Sequence, residues 1–310
     1  MRRSERVVNF ENGHFQSQSA QGEYMNVRRA KTAGFCMGVS LALQKLNTAL
    51  ERRTDRNTGA GRICTLGPII HNPQVLAEYE ARGVVCVNAP SQLRQDDVAV
   101  IRAHGITRQV EQAVCASGAT VVDATCPKVK KAQLSIARAT SQGATLLLFG
   151  EEDHPEVRGL ISYACGPAHV FGNAGELAAL PLDPAQPYVL ASQTTQDREI
   201  FTAIHENLSR ALDDLTVLST ICDATRERQE EARNIASSVD VMVVVGGRQS
   251  GNTRRLADVA ALNGIATYHV ESAEELDPEK FVNKPRVGLT AGASTPKSLI
   301  DAAEKWLYSL

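Results

Sequence analysis

Three cysteines stand at matched places along this 310-residue chain. Each ends a strand-like run and opens a helix: AKTAGFCMG holds Cys36, VVDATCPK holds Cys126 and VLSTICDAT holds Cys222. They lie 90 and 96 residues apart, and 88 residues follow the last. A thiol near a helix N-terminus feels the positive end of the dipole, which lowers its pKa and favours the thiolate. Thiolates bind soft metals, so three that meet only in the fold suit an iron–sulfur cluster or a zinc site. Structural zinc usually takes close C-x-x-C pairs, and none occurs among the seven cysteines. A 4Fe–4S cluster on three cysteines leaves one iron open, able to act as Lewis acid and redox agent together. Cys64, Cys86, Cys115 and Cys165 have no repeat partners and read as packing residues.

Two further sets of turns repeat in the same register. Some 28 to 35 residues after each cysteine, a strand ends in GPIIHNP with His71, GEEDHPEV with His154 and Glu156, or GGRQSGNT with Ser250 and Asn252. Some 68 to 72 residues after each cysteine come RAHGIT with His104, SQTTQD with Thr194 and AGASTP with Ser294. In parallel α/β sheets ligands sit beyond the carboxyl ends of the strands, so nine such turns could face one central cavity. Imidazoles, hydroxyls and amides at helix N-termini cradle anions, and phosphate is the usual occupant. Serine, threonine and asparagine after a strand are also ordinary N-caps; it is the shared register that argues for more. Glu156 is the carboxylate placed to give a proton, together with His154, although the dipole favours a structural acid at the same position. Glu151, Glu152 and Asp153 read as solvated.

The elements that must position these residues follow from the repetition. Short β-rich runs alternate with amphipathic segments of about 10–16 residues, the pattern of βαβ units on parallel sheets. The expected fold is therefore α/β, with three pseudo-threefold-related units carrying small, mostly parallel sheets around a central cavity. The expected divisions are 25–37, an N-terminal strand and first cysteine turn docking with the third unit, then units at 38–126, 127–220 and 221–310. Residues 1–24 are polar, lack a sustained period and read as a disordered extension, with Met25 as an alternative start. Arg52 to Gly61 reads as a solvated loop. Net charge is −2, with 43% hydrophobic and 22% charged residues, an ordinary globular balance without a nucleic-acid or membrane-surface footprint. No apolar run reaches a membrane span and no signal sequence opens the chain, so the cytoplasm is the expected compartment. An odd cysteine count in a chain of this size argues against a disulfide framework.

Taken in order, AGFCMGV, GPIIHNPQV, RAHGI, DATCP, HPEVRG, SQTTQ, ICDATRERQ, SGNTRRL and TAGAST resemble the 4-hydroxy-3-methylbut-2-enyl diphosphate reductase family, which closes the non-mevalonate isoprenoid pathway. The resemblance runs from about Met25 to Leu310. It implies a three-lobed α/β protein around one 4Fe–4S cluster held by Cys36, Cys126 and Cys222. It also implies that His71, His104, Ser250, Asn252 and Ser294 hold the diphosphate. His154 and Thr194 would position the substrate and its proton supply, and Glu156 would be the proton donor. Some members carry a second serine where this chain has Gly251, and some carry a further histidine in the loop before Pro155. The implied reaction is a two-electron reductive dehydroxylation giving isopentenyl and dimethylallyl diphosphates plus water. Ferredoxin, or flavodoxin with its reductase, is the implied electron source. Two readings from other classes stay open. A non-redox iron–sulfur hydro-lyase would turn over without reductant, and a cluster-based redox sensor would not need nine polar turns.

Overall fold

Continuous apolar runs set the sheets. Val241–Val245 is buried at all five positions, as a parallel strand covered by helices on both faces requires. The computed structural model describes residues 25–55 and 61–310, so the expected disorder of 1–24 falls outside the described residues. The chain runs β1 (Asn26–Arg29), α1 (Met37–Asp55), β2 (Ile63–Leu66), α2 (Pro73–Ala81), β3 (Val84–Val87), β4 (Val98–Ile101), α3 (Arg108–Ala116) and β5 (Thr120–Asp123). It continues with α4 (Pro127–Ala139), β6 (Thr145–Phe149), α5 (Pro155–Ile161), β7 (Ala168–Phe171), α6 (Ala174–Ala178), β8 (Pro187–Ser192), α7 (Arg198–Ala211) and β9 (Asp214–Val217). The last stretch holds α8 (Asp223–Ala236), β10 (Val241–Val245), α9 (Gly251–Ala261), β11 (Ala266–Val270), β12 (Arg286–Ala291) and α10 (Lys297–Leu307).

Three four-stranded sheets result, in the orders β3-β2-β4-β5, β7-β6-β8-β9 and β11-β10-β12-β1. Every pairing among the described strands is parallel. The orders are equivalent once β1 takes the place of β5 and β9. The first strand among the described residues therefore fills the fourth position of the last sheet, with Asn26 opposite Arg286 and Arg29 opposite Leu289. Each fourth strand then leads across to the next unit's first helix, and the three cysteines lie on those crossings. The repeated turns account for three strands per unit. The remaining member of each sheet, β3, β7 or β11, is an edge strand whose turn carries none of the repeated chemistry.

Two local features differ from the sequence reading. α1 continues through Asp55, past the start of the expected loop at Arg52, because Arg52 and Arg53 fall in its last turn and complement the helix dipole there. Residues 56–60 of that loop lie outside the described residues. Cys64 is buried as a packing residue should be, but Cys86, Cys115 and Cys165 are exposed, since their places on an edge strand, an outer helix face and a surface loop offer no core to fill. No helix among the described residues is long and apolar enough to cross a membrane.

Candidate functional site

Each cysteine is tied by its backbone to the turn after a neighbouring strand. Cys36 N–H donates to Ala293 O at 3.1 Å, Cys126 N–H to Ala103 O at 2.9 Å and Cys222 N–H to Thr194 O at 3.0 Å. These bonds place each thiol beside Ser294, His104 or Thr194, so the first and third sets of turns arrive together. Cys126 is the N-cap of α4, with Pro127 at the first helical position, and Cys222 is the N-cap of α8. Cys36 immediately precedes α1, and Val39 N–H points at its sulfur at 3.5 Å. Burial pushes the Cys126 thiol up, against the opposing pull of the Lys128 and Val129 N–H groups. At this cysteine desolvation therefore outweighs the helix terminus that the sequence reading relied on.

The donor set fits a cluster. All three thiols are free, partly buried and aimed into one cavity. Gly38 explains how the sulfurs fit: a Cβ there would lie 2.4 Å from Cys126 Sγ and 3.9 Å from Cys36 Sγ. The bare backbone thus leaves room for the Cys126 sulfur.

The same cavity is lined by His71, His104, His154, Glu156, Thr194, Ser250, Asn252 and Ser294, so all nine repeated turns contribute to it. The prolines of HNP and HPE sit at the first helical positions of α2 and α5, where a missing N–H costs nothing. Asn72 caps α2, which sets His71 one residue outside the helix, and His154 caps α5 itself through Nδ1, accepting from Glu156 N–H at 3.1 Å. Ser250 caps α9 in the same way, accepting from Thr253 N–H at 3.3 Å. Ser294 Oγ donates to His71 O at 3.1 Å, joining the first and third units.

The three histidines form one cluster. Their ring centroids are 4.5 to 5.6 Å apart, and one ligand nitrogen from each lies within 4.8 Å of the others. Burial pulls His71 down to about 4 and His154 to about 3, and holds His104 well below the ordinary imidazole range. Arg102 reinforces all three shifts, and Arg254 those of His71 and His154. His71 Nε2, His104 Nδ1 and Asn252 Nδ2 are buried without a hydrogen-bond partner in the protein. Buried polar atoms are rarely left so, and their convergence suits a polyanionic ligand. Gly251 would tolerate a side chain, since a Cβ there makes only ordinary contacts at 3.5–3.6 Å, one of them with His154 Nε2.

Glu156 is 2% exposed. Thr194 N–H donates to its Oε1 at 2.6 Å and Thr194 Oγ1 to its Oε2 at 3.0 Å. Burial raises the carboxyl to about 6, although both Thr194 bonds pull it down. Desolvation therefore prevails over the first-turn dipole, and Glu156 is far easier to protonate than a surface glutamate.

Several lining residues escape a reading based on turns. Thr225 and Arg228 come from within α8, and Lys128 from the first turn of α4. A signal for Arg228 existed: Thr225, Arg228, Gln229, Ala232, Ile235 and Ala236 form the buried stripe of α8, so an arginine falls on an inward face. Glu151, expected to be solvated, pairs with Arg254 Nη2 at 2.5 Å, because α9 of the third unit packs beside the loop after β6.

Comparison with known proteins places this geometry in context. The family model described as LytB protein matches residues 27–308. A 4-hydroxy-3-methylbut-2-enyl diphosphate reductase of Desulfovibrio desulfuricans is 94% identical over 286 residues, covering 92% of this chain and all of that relative. The enzyme of the same name from Oleidesulfovibrio alaskensis is 58% identical over 287 residues, again 92% of this chain and all of the relative. Among solved structures, the E-1-hydroxy-2-methyl-but-2-enyl-4-diphosphate reductase of Plasmodium falciparum superposes with a TM-score of 0.83 at 23% identity, covering 90% of this chain and 86% of that one. That similarity bears on the fold alone. A second reductase structure, described as the terminal enzyme of the non-mevalonate pathway, is 36% identical with a TM-score of 0.64, covering 92% of this chain and 100% of that one.

Proposed function

The chain belongs to the LytB protein family, and from that premise we propose that it is a 4-hydroxy-3-methylbut-2-enyl diphosphate reductase. The reaction consumes the allylic alcohol diphosphate, two electrons and two protons, and yields isopentenyl or dimethylallyl diphosphate and water. The supporting observation is the convergence of three free thiols, three neutral histidines and one buried carboxyl on a single cavity. A 4Fe–4S cluster on Cys36, Cys126 and Cys222 supplies, when bound, single electrons and an open iron that polarises the hydroxyl.

The chain's own residues bind, orient and protonate. A neutral imidazole offers one N–H donor, and the hydroxyls of Ser250 and Ser294 and the amide of Asn252 can add more around the diphosphate. Glu156 is the single carboxylate lining the cavity among the described residues, so the anion meets little like charge. His154 orients the turn that carries Glu156, and Thr194 fixes the carboxyl on both oxygens. A hydroxyl accepts as well as donates, so Thr194 can stay bonded to the carboxyl in both protonation states. With a value raised to about 6, Glu156 is suited to hand a proton to the departing hydroxyl. Protonation at either end of the resulting allylic fragment gives the two products. Electrons enter from an external one-electron carrier of the ferredoxin or flavodoxin class, in the cytoplasm.

The test is turnover of 4-hydroxy-3-methylbut-2-enyl diphosphate by the purified anaerobic protein, with and without dithionite. Reductant-dependent formation of both diphosphates is expected. Turnover without reductant would indicate a hydro-lyase, and an iron–sulfur spectrum with no turnover in either arm would indicate a sensor.

A further inference from the structure

Arg228 has no part in the chemistry above, yet it is one of the most costly residues in the cavity wall. It is 5% exposed, on the inward stripe of α8, six residues beyond Cys222. Its Nη2 donates to Gly34 O at 2.7 Å and its Nη1 to Ala224 O at 3.1 Å, while Nε has no partner in the protein. No carboxylate forms an ion pair with it among the described residues. Glu231, the acid one turn further along α8, is already bonded to the Lys31 and Thr32 N–H groups and the Thr32 hydroxyl. A buried guanidinium without a bonded acid is unfavourable unless some other negative charge faces it.

Of the negative groups near it, the sulfurs of Cys36 and Cys222 act most strongly, ahead of Glu227 and Glu231. Burial pulls the guanidinium down, and the next largest influences, both opposing that pull, are the Cys36 and Cys222 sulfurs. Its two anchors fix this arrangement from both sides. Ala224 lies in the first turn of the helix that follows Cys222, and Gly34 lies two residues before Cys36 in the loop that delivers it. Gly34 takes a φ of +111°, a region that suits glycine, and this geometry presents its carbonyl to Arg228. The cation is thus held beside two of the three sulfurs by groups adjacent to those same cysteines.

We propose that Arg228 is the fixed counter-charge of the iron–sulfur centre, raising its reduction potential. The inference rests on the cluster reading given above. Each one-electron reduction by the external carrier adds one negative charge to the centre, and a cation that is already in place stabilises the reduced form more than the oxidised form. Because both anchors are main-chain carbonyls, the charge does not have to be reorganised when the electron arrives. Arg228 acts through the cluster and is a positioning residue; it donates no proton and touches no reacting atom of the substrate.

The test compares Arg228→Gln and Arg228→Lys with the wild-type holoenzyme under anaerobic conditions. Iron content, visible absorption and the midpoint potential are measured, the last by redox titration followed by electron paramagnetic resonance. Arg228→Gln, which keeps a donor but loses the charge, is expected to retain iron and shift the reduction equilibrium at least tenfold toward the oxidised form, about 59 mV for one electron. Arg228→Lys is expected to keep most of the wild-type potential. Loss of iron in the Gln variant alone would overturn the inference as stated, because Arg228 would then be needed to hold the centre and not to set its potential. An unshifted potential in Arg228→Gln, equal shifts in both variants, or loss of iron from both would overturn it and leave Arg228 as a strut between α8 and the Gly34 loop. Absence of an iron–sulfur spectrum in the wild-type protein would instead overturn the cluster reading itself.

Discussion

The cysteine turns and the turns beside them were built on one plan and have diverged differently. Cys36, Cys126 and Cys222 keep one residue type in all three units, each tied by its N–H to a carbonyl in a neighbouring turn. The second set holds His71, His154 and Ser250, and the third holds His104, Thr194 and Ser294. A ligand that asks the same of each unit preserves identity, while a ligand with distinct ends selects different groups. The three histidines and the acid nearest a proton-transfer role lie in the first and second units, and the third unit offers hydroxyls and an amide. The fold's symmetry therefore serves the proposed cluster, and its broken symmetry serves the proposed substrate.

The symmetric set should be the least forgiving. Replacing Cys126 with Ser, or either of its two counterparts, should abolish turnover and strip or degrade the visible iron–sulfur absorption. The same change at Cys64, Cys86, Cys115 or Cys165 should leave both intact. Full iron content in Cys126→Ser would remove the basis for the comparison. In the asymmetric set, Glu156→Gln should fold, keep its iron and bind substrate, yet lose about 10²–10⁴-fold in turnover. The wild-type carboxyl sits at about 6 in the substrate-free protein, so kcat/KM should fall as the pH rises beyond that value. The Gln variant should lose this limb. A pH profile unchanged by the substitution would return Glu156 to a structural role.

How far the sequence revealed these two sets follows from where each signal is encoded. The cysteine register, the HNP and HPE caps and the strand ends are local patterns, and a turn's chemistry is written in four or five consecutive residues. β3, β7 and β11 are not marked as sheet members because they are partly exposed edge strands whose turns carry none of the repeated chemistry. Arg228 was hidden for a different reason. Its contacts reach Gly34, 194 residues away, and a helix of mean composition as polar as α8 gives no hint which arginine faces inward until its stripe is traced. Glu151 departs from the solvated reading on the same account: its partner Arg254 belongs to another unit, 103 residues along the chain.

A smaller effect should separate binding from chemistry within the asymmetric set. His71→Phe keeps an aromatic ring of similar reach but removes the unpartnered Nε2. A hydrogen bond to a charged group contributes about 1.5–3 kcal/mol, so KM for the substrate should rise roughly 10- to 150-fold, with kcat and iron content much less affected. Inorganic diphosphate should weaken as a competitive ligand in parallel. A fall in kcat at constant KM would move His71 from holding the anion to delivering the proton.

The smallest effect concerns stability and turns on the sign of four shifts. His71, His154 and His104 are all depressed, the first to about 4 and the second to about 3, against an ordinary imidazole value of 6.5. Below pH 6.5 the unfolded chain takes up protons at these sites, while the folded protein does not until far lower. Their contribution to stability is therefore complete above 6.5 and is lost as the pH falls toward about 4. Glu156 acts in the opposite sense. Its folded value of about 6 lies above the ordinary 4.5, so the folded state holds the extra proton, and its contribution grows as the pH falls from 6 to 4.5. Three histidines against one carboxyl leave a net excess of about two protons on the unfolded chain, or at most ~3 kcal/mol lost per pH unit within that window. Denaturant midpoints of the anaerobic holoprotein should accordingly fall between pH 6.5 and 4.5. His104→Phe should have a shallower pH dependence, by roughly the one-proton step of ~1.4 kcal/mol per pH unit. Comparing variant and wild type at each pH cancels any acid sensitivity they share, including that of a bound cluster. Parallel pH dependences would mean that His104 is already charged in the folded protein, and the histidine cluster would then meet the diphosphate as cations instead of neutral donors.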